Sequence, residues 1–366
     1  MIKPGDWKLY TGGRKPHGRI DELPLPPKWR PMRASDAEVQ PRVLPDPENP
    51  RTWPTGSSRA RGENFDATES IVQIVNAALY LRRPLLVTGK PGSGKSSLVE
   101  AVAFELCLGQ PLRWPVTSRS TLREALYQYD AIGRLQDEKS SDPNHSDDSA
   151  SDPRAPHTAL AQRIGRYIRL GSLGTALLPS SRPRALLIDE IDKADIDLPN
   201  DLLNVFEEGE FEIPELSRLK TDEPVEVMTA DRQGQPTAQV TRGQVRCRQF
   251  PFVVLTSNGE REFPAPFLRR CLRLEMPNPT GNRAQDYNAE GKRLRRIVEL
   301  HFSKAEIKRA AKVIDDFVER VKSGSEQLAT DQLLNAVYFA VERHVKPDEE
   351  RKAVLEAMQQ ELVARR

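Results

Sequence analysis

One stretch constrains this chain more than any other: Gly89-Lys90-Pro91-Gly92-Ser93-Gly94-Lys95-Ser96. It follows the apolar run Leu85-Leu86-Val87 and leads into Ser97-Leu98-Val99-Glu100-Ala101-Val102-Ala103-Phe104. Strand, glycine-rich loop and helix therefore succeed one another, the context a phosphate-binding loop requires. A polyphosphate needs many backbone N–H donors aimed at one point, and glycine lets the chain curl that tightly. The unpaired first-turn amides and the helix dipole add to the attraction. Lys95 is expected to reach the terminal phosphates, Ser96 to ligate magnesium, and Ser97 in the first turn to join Gly89 to Ser96 in binding the nucleotide.

The stretches around this motif alternate between strand and helix. Asp66-Ala67-Thr68-Glu69 opens a helix to about Arg82, with Ile71, Val75, Ala78 and Leu79 on one face. Leu112 to Val116 reads as a short strand and Thr121 to Tyr129 as a helix. Residues 136 to about 157 form a polar, proline-punctuated insert with nothing apolar to bury, expected to be without fixed structure on its own. Helical periodicity resumes over Leu160 to Leu170. Ala185-Leu186-Leu187-Ile188 and Phe252-Val253-Val254-Leu255-Thr256 are wholly apolar strands of the kind buried inside a parallel sheet. Between them lie a helix, capped by Asp197 and stopped by Gly209, and an irregular segment with hairpin-like alternation near Gln244 to Phe250. Cys271 to Glu275 is a fifth strand. Such alternation specifies a parallel α/β sheet with helices on both faces. From about residue 282 only helices follow. Among their signals are a capping box at Ser303-Lys304-Ala305-Glu306, a helix from Thr330, and an amphipathic helix after Pro347.

The 366 residues suit about two or three domains. The boundaries expected are an extended Pro/Arg-rich arm over 1–63, an α/β domain over 64–279 with its polar insert at about 131–158, and a helical domain over 280–366. Trp7, Trp29 and Trp53 are costly in a free tail, so the arm is expected to pack on a neighbouring surface; a flexible linker is the alternative. A formal net charge of +2 gives no ground for a nucleic-acid or membrane partner. Cys107, Cys247 and Cys271 lack metal-ligand spacing and read as reduced thiols. With no signal peptide and no apolar run long enough to span a bilayer, the expectation is a soluble cytoplasmic protein.

Hydrolysing a bound nucleotide takes a carboxylate for the magnesium shell, a group that orients water, and a positive charge for the transition state. Asp189 ends an apolar strand at the edge where ligands bind in open α/β sheets, and is assigned to magnesium. Glu190 beside it is the candidate for polarising water. Asn258, at the end of the next apolar strand, can position that water or contact a phosphate. Of Arg269 and Arg270, one becomes a finger for a neighbour's nucleotide if a subunit interface lies there.

The order phosphate loop, Leu-Leu-Ile-Asp-Glu-Ile-Asp-Lys, Leu-Thr-Ser-Asn, Leu-Arg-Arg-Cys, then a helical domain resembles the AAA+ ATPases, most closely the MoxR-like clade. The resemblance covers about residues 64 to 345. It implies a P-loop NTPase fold, a parallel five-stranded sheet flanked by helices and followed by a small all-α lid. It further implies Walker A at Gly89 to Ser96, Walker B at Asp189 and Glu190, sensor 1 at Asn258, and the finger at Arg270. ATP and Mg2+ are the cofactors it implies. The insert after Tyr129 and the segment from Val240 to Phe250 fall where the clade carries two insertions. The family usually places a sensor-2 arginine where Gln332 stands here. An amide can hydrogen-bond a phosphate but brings no charge; Arg343 is a weaker substitute. Base contacts are expected around Phe65 to Ala67 and from the lid.

The resemblance implies that the chain assembles into a homo-oligomeric, hexameric ring that hydrolyses ATP to remodel a protein, often with a von Willebrand A-domain partner. Two other readings stay open. One is the motor of a nucleic-acid-acting defence or restriction complex, with ATP or GTP as fuel. The other is a slow nucleotide switch, against which Glu190 argues.

Overall fold

The structure, a computed structural model, describes residues 7–30, 32, 34–39, 44–49, 57–140, 155–219, 221–231, 236–276, 284–322 and 330–341. An extended arm leads into α1 (Ser57–Glu63), α2 (Glu69–Leu81), β1 (Leu85–Thr88) and α3 (Lys95–Glu105). Next come β2 (Leu112–Pro115), α4 (Leu122–Leu126), β3 (Tyr127–Tyr129), α5 (Ala131–Ser140), α6 (Ala155–Gly165), β4 (Ile168–Leu170) and α7 (Ser172–Ala176). β5 (Ala185–Asp189) precedes α8 (Leu198–Glu208), β6 (Glu210–Glu212), α9 (Pro214–Ser217), β7 (Val225–Met228), β8 (Thr237–Val240) and β9 (Gln244–Arg246). β10 (Phe252–Ser257), α10 (Ala265–Arg270) and β11 (Leu272–Glu275) complete the α/β part. The helical part holds α11 (Ala284–His301), α12 (Lys304–Arg309), α13 (Ala311–Lys322) and α14 (Thr330–Val341).

The central sheet has five parallel strands in the order β11-β1-β10-β5-β2, flanked by helices, as the alternation implies. Its inner strands β1, β10 and β5 are buried almost throughout because both faces are covered, whereas the edge strands β2 and β11 alternate with exposed Arg113, Arg273 and Glu275. Leu186, Ile188, Val253 and Leu255 join one core. Ala185, Leu187, Phe252 and Val254 join the other, beneath α2 and α3. A third core lies inside the helical part, built on Leu294, Val298, Phe317, Val318, Leu333 and Val337. Local signals set the boundaries. Thr68 caps α2 by accepting from the Ile71 amide, a contact worth about 1 kcal/mol. Thr121/Glu124 and Ser303/Glu306 form capping boxes at α4 and α12.

Several sequence expectations are corrected. The segment read as a helix from Thr121 to Tyr129 is a short helix followed by β3, and the one over Leu160 to Leu170 is α6 followed by β4. β3 and β4 pair antiparallel, β4 runs parallel to β7, and β7 pairs with β8, which makes a four-stranded sheet. β8 and β9 are joined by the single antiparallel Thr241–Gln244 bridge, while the ladder of β9 is with β6. The polar insert carries α5 into it from one side and α6 from the other; residues 141–154 lie outside the described residues. Asp197 contributes its backbone carbonyl, not its side chain, to the start of α8.

The arm packs on its own chain, through aliphatic and backbone contacts more than through tryptophan. Leu9, Tyr10 and Ile20 are buried in the core beneath α2. Asn76 Oδ1 accepts from the Leu9 and Tyr10 amides at 2.7 and 3.0 Å, and Asn76 Nδ2 donates to the Tyr10 and Val72 carbonyls. Trp7 meets Tyr80 edge-on at 5.9 Å, whereas Trp29 is 77% exposed. Trp53, Arg343 and the helix expected after Pro347 lie outside the described residues.

Candidate functional site

The loop after β1 is bent by its glycines. Gly94 has a φ of +90°, a conformation that strains any residue with a Cβ, and it starts α3 with no side-chain cap. No side chain caps the first turn of α3, whose Ser97 amide donates to the Gly94 carbonyl at 3.1 Å, so the Lys95 and Ser96 amides at its start can meet an external acceptor. Lys95 is 8% exposed and folded back into the loop. Its Nζ donates to the Gly89 and Lys90 carbonyls at 2.6 and 2.9 Å and to Asn258 Oδ1 at 2.7 Å. Burial holds this ammonium below the ordinary lysine range, partly offset by Asp192, Asp189 and Glu190.

Parallel pairing of β1, β10 and β5 brings their carboxyl ends to one edge. Ser96 Oγ donates to Asp189 Oδ1 at 3.0 Å. The same oxygen accepts from Thr256 Oγ1 at 2.5 Å, and Thr256 Oγ1 accepts from the Glu190 amide at 2.9 Å. Thr256, fully buried, therefore aligns both acids with one hydroxyl. Glu190 sits at φ +60°, costing about 1–2 kcal/mol for a residue with a side chain. Its carboxylate accepts from Lys193 Nζ at 2.6 Å. Asp192, 3% exposed, accepts at Oδ2 from Ser257 Oγ (3.0 Å), the Asn258 amide (2.8 Å) and the Glu260 amide (3.3 Å). Thr256 and Asp192 were not singled out in the sequence. A threonine in an apolar strand and an aspartate in an acidic run carry no spacing signature.

Lys95, Ser96, Asp189, Glu190, Thr256 and Asn258 line a cavity of about 710 Å³ together with Arg61, Phe65, Asp66, Arg293, Ile297 and Leu334; Asp192 stands behind it. The Phe65–Asp66 strip and the helical part thus both reach the cavity, where base contacts were expected. Gln332 does not line it. Thr330 and Leu334 of α14 face the cavity, and Gln332, two residues on from Thr330, lies about 200° around the helix. It lines a separate depression with Asn335, Tyr338 and Phe339. Arg270 is also absent from the cavity lining; its guanidinium pairs with Glu207 on α8.

The residues present fit a nucleotide with magnesium. Ser93 Oγ is buried in the loop and finds no hydrogen-bond partner among the described residues. The Ser96 hydroxyl and Asp189 carboxylate stand in contact, the sparse oxygen set that magnesium shares with waters and phosphate. Among the described residues no helix is long and apolar enough to cross a membrane.

Among solved structures, PCH-2 from C. elegans is similar at 12% identity and a TM-score of 0.36, covering 84% of this chain and 73% of that one. NtrX from Brucella abortus in complex with ADP is similar at 13% identity and a TM-score of 0.35, covering 77% of this chain and 52% of that one. This chain thus spans about half of NtrX. No curated protein matches it. The model of one family, the AAA domain of the dynein-related subfamily, matches residues 84–271, which hold the phosphate loop, the acidic strand tip and Asn258; the chain belongs to that family.

Proposed function

We propose that the protein is an ATP-hydrolysing, MoxR-like AAA+ ring ATPase that remodels or activates a partner protein. One observation carries the reading: the phosphate loop, the acidic tip of β5 and the amide ending β10 meet in one cavity, joined by the Ser96–Asp189 and Lys95–Asn258 contacts. In this reading the loop amides hold the phosphates. Ser96 and Asp189 are the residues that would hold Mg2+, which would supply positive charge against the phosphate oxygens. Glu190 orients and polarises the attacking water once Lys193 releases it. Asn258 hands Lys95 over to the terminal phosphate. Arg270, outside its own cavity, serves the neighbouring subunit of the ring.

The remodelling role draws on the four-stranded sheet of β3, β4, β7 and β8, whose strands flank the first insertion and lead into the second. It stands beside α5, whose Ile132 and Leu135 are 70% and 56% exposed, one helical turn apart. Such a surface suits contact with a protein segment.

Replacing Glu190 by Gln tests the chemistry. Phosphate release should fall about a hundredfold or more, while nucleotide binding is kept and ATP stays trapped. Turnover at the wild-type rate would remove Glu190 from the mechanism.

A further inference from the structure

The arm passes one corner of the α/β part as a short, proline-stiffened stretch, Leu23-Pro24-Leu25-Pro26-Pro27-Lys28-Trp29-Arg30. Both of its ends are fastened. Arg82, buried at the end of α2, donates to the Pro24 carbonyl. Arg30 donates to the Phe206 carbonyl, one of the last in α8 and beyond the reach of that helix's own amides. The same guanidinium lies over the Phe250 ring, 5.2 Å from its centroid. The Arg30 amide closes a turn onto the Pro27 carbonyl at 2.8 Å, with Lys28 and Trp29 at its tip. Between these anchors Leu25 is 86% exposed and Trp29 77%.

A leucine left in water forgoes about 1.5–3 kcal/mol of burial, and an aromatic side chain offers about 150–250 Å² to a partner. Here the two stand four residues apart on a backbone that is pinned and cannot fold over them. A surface fixed in advance loses little freedom on docking, and tryptophan is among the side chains that carry most binding energy.

The corner around them points to the partner. Arg30 and Arg270 grip consecutive residues of α8, Phe206 by its carbonyl and Glu207 by its carboxylate. Arg83 donates to the Arg269 carbonyl at 3.0 Å. Glu207 thus stands among guanidiniums. The hydrogen bond from Arg270, against the pull of burial, and the charges of Arg270, Arg30 and Arg83 hold its carboxylate below the usual range. Lys28 and Arg269 add further positive charge to the same corner. A cationic corner complements a cavity loaded with a polyphosphate, and another copy of this chain brings such a cavity.

We infer that Leu25 and Trp29 are a docking knob by which the arm seats on a second copy of this chain, beside that copy's cavity, at the corner that carries Arg270. The inference rests on the ring reading of this chain and adds to it a surface, outside the α/β domain, that clasps one subunit to the next.

Sedimentation velocity of the full-length protein with a non-hydrolysable ATP analogue tests it, paired with hydroxyl-radical footprinting of Trp29. Combining Leu25→Ser with Trp29→Ala should raise the protein concentration needed for assembly about tenfold or more, with Trp29→Phe alone costing less. The urea midpoint of dilute single chains should stay level, because both side chains are exposed. In the wild type, Trp29 should be oxidised several times more slowly once assembled. If the midpoint falls together with assembly, the footprint decides alone. Assembly of the double variant at wild-type concentrations, or a Trp29 oxidised as fast in the ring as in the single chain, overturns the inference. Either result leaves the ring reading standing and gives the knob to a different partner, protein or membrane. Wild-type protein that stays a single chain at every concentration removes both.

Discussion

Asp192 holds the end of β10 with a single carboxylate oxygen. Its three donors fix Ser257, the Asn258 backbone and Glu260, and Asn258 in turn holds Lys95. Asp192→Ala should cost about 3 kcal/mol in urea unfolding, because buried donors are left without an acceptor. It should also lower phosphate release more than nucleotide affinity, since Asn258 loses its anchor while the loop amides remain. A variant as stable as wild type would show that water replaces the carboxylate. At this scale the motif residues were legible: Gly89 to Ser96, Asp189 and Asn258 all sit where strand and loop signals put them. Thr256, Asp192 and Arg293 were not, because their contacts depend on which strands and helices become neighbours. Gln332 shows the complementary failure, a position inferred by alignment whose helical phase points it away from the cavity.

The arm is the element whose docking depends most on charge. Glu105 is 1% exposed at the end of α3. It accepts from the Thr11 amide (2.6 Å), Thr11 Oγ1 (2.8 Å) and the Arg14 amide (3.1 Å), and lies 3.2 Å from His17 Nε2. Burial pushes its pKa up, but the hydrogen bonds from His17 and Thr11, then Arg14, outweigh burial and hold it below the usual carboxylate range. A carboxylate depressed in the folded state contributes its stability above its unfolded pKa and loses it as pH falls through the folded value. The gap between wild type and Glu105→Gln in urea unfolding, about 2 kcal/mol near neutrality, should therefore close below about pH 4. A gap constant with pH would mean that the contact is steric rather than ionic. The arm expected to be extended over 1–63 holds the 3-10 turns Arg19–Glu22 and Asp36–Glu38 and ends in α1, and only the lack of a longer helix among its described residues was legible from its prolines. Its anchors were not, because they are backbone amides answered by Asn76 and Glu105. β3 and β4 were misread for a related reason. Strands of three residues show too little alternation, and each follows a helix whose apolar spacing runs on into it.

For the whole molecule, the ring proposal makes Arg270 act on a neighbour. In one chain it rests against Glu207, and this carboxylate raises the guanidinium's pKa. Mixing Arg270→Ala with Lys95→Ala subunits should then recover phosphate release that neither shows alone. Where the two meet, an intact loop faces an intact arginine. Mixtures that stay at background would place catalysis within single chains.

The segments that flank the two insertions, far apart along the chain, are bonded to one another through β4 and β7 and through Gln162, whose amide donates to the Pro224 carbonyl at 2.7 Å. One hangs from β2 and the other from β10, the two strands on either side of β5. A shift of the acid-bearing strand against either flank is therefore delivered to a single stiff plate. Whatever rests on that plate feels one push, not two, and trimming either insertion alone would leave the other with a raw edge.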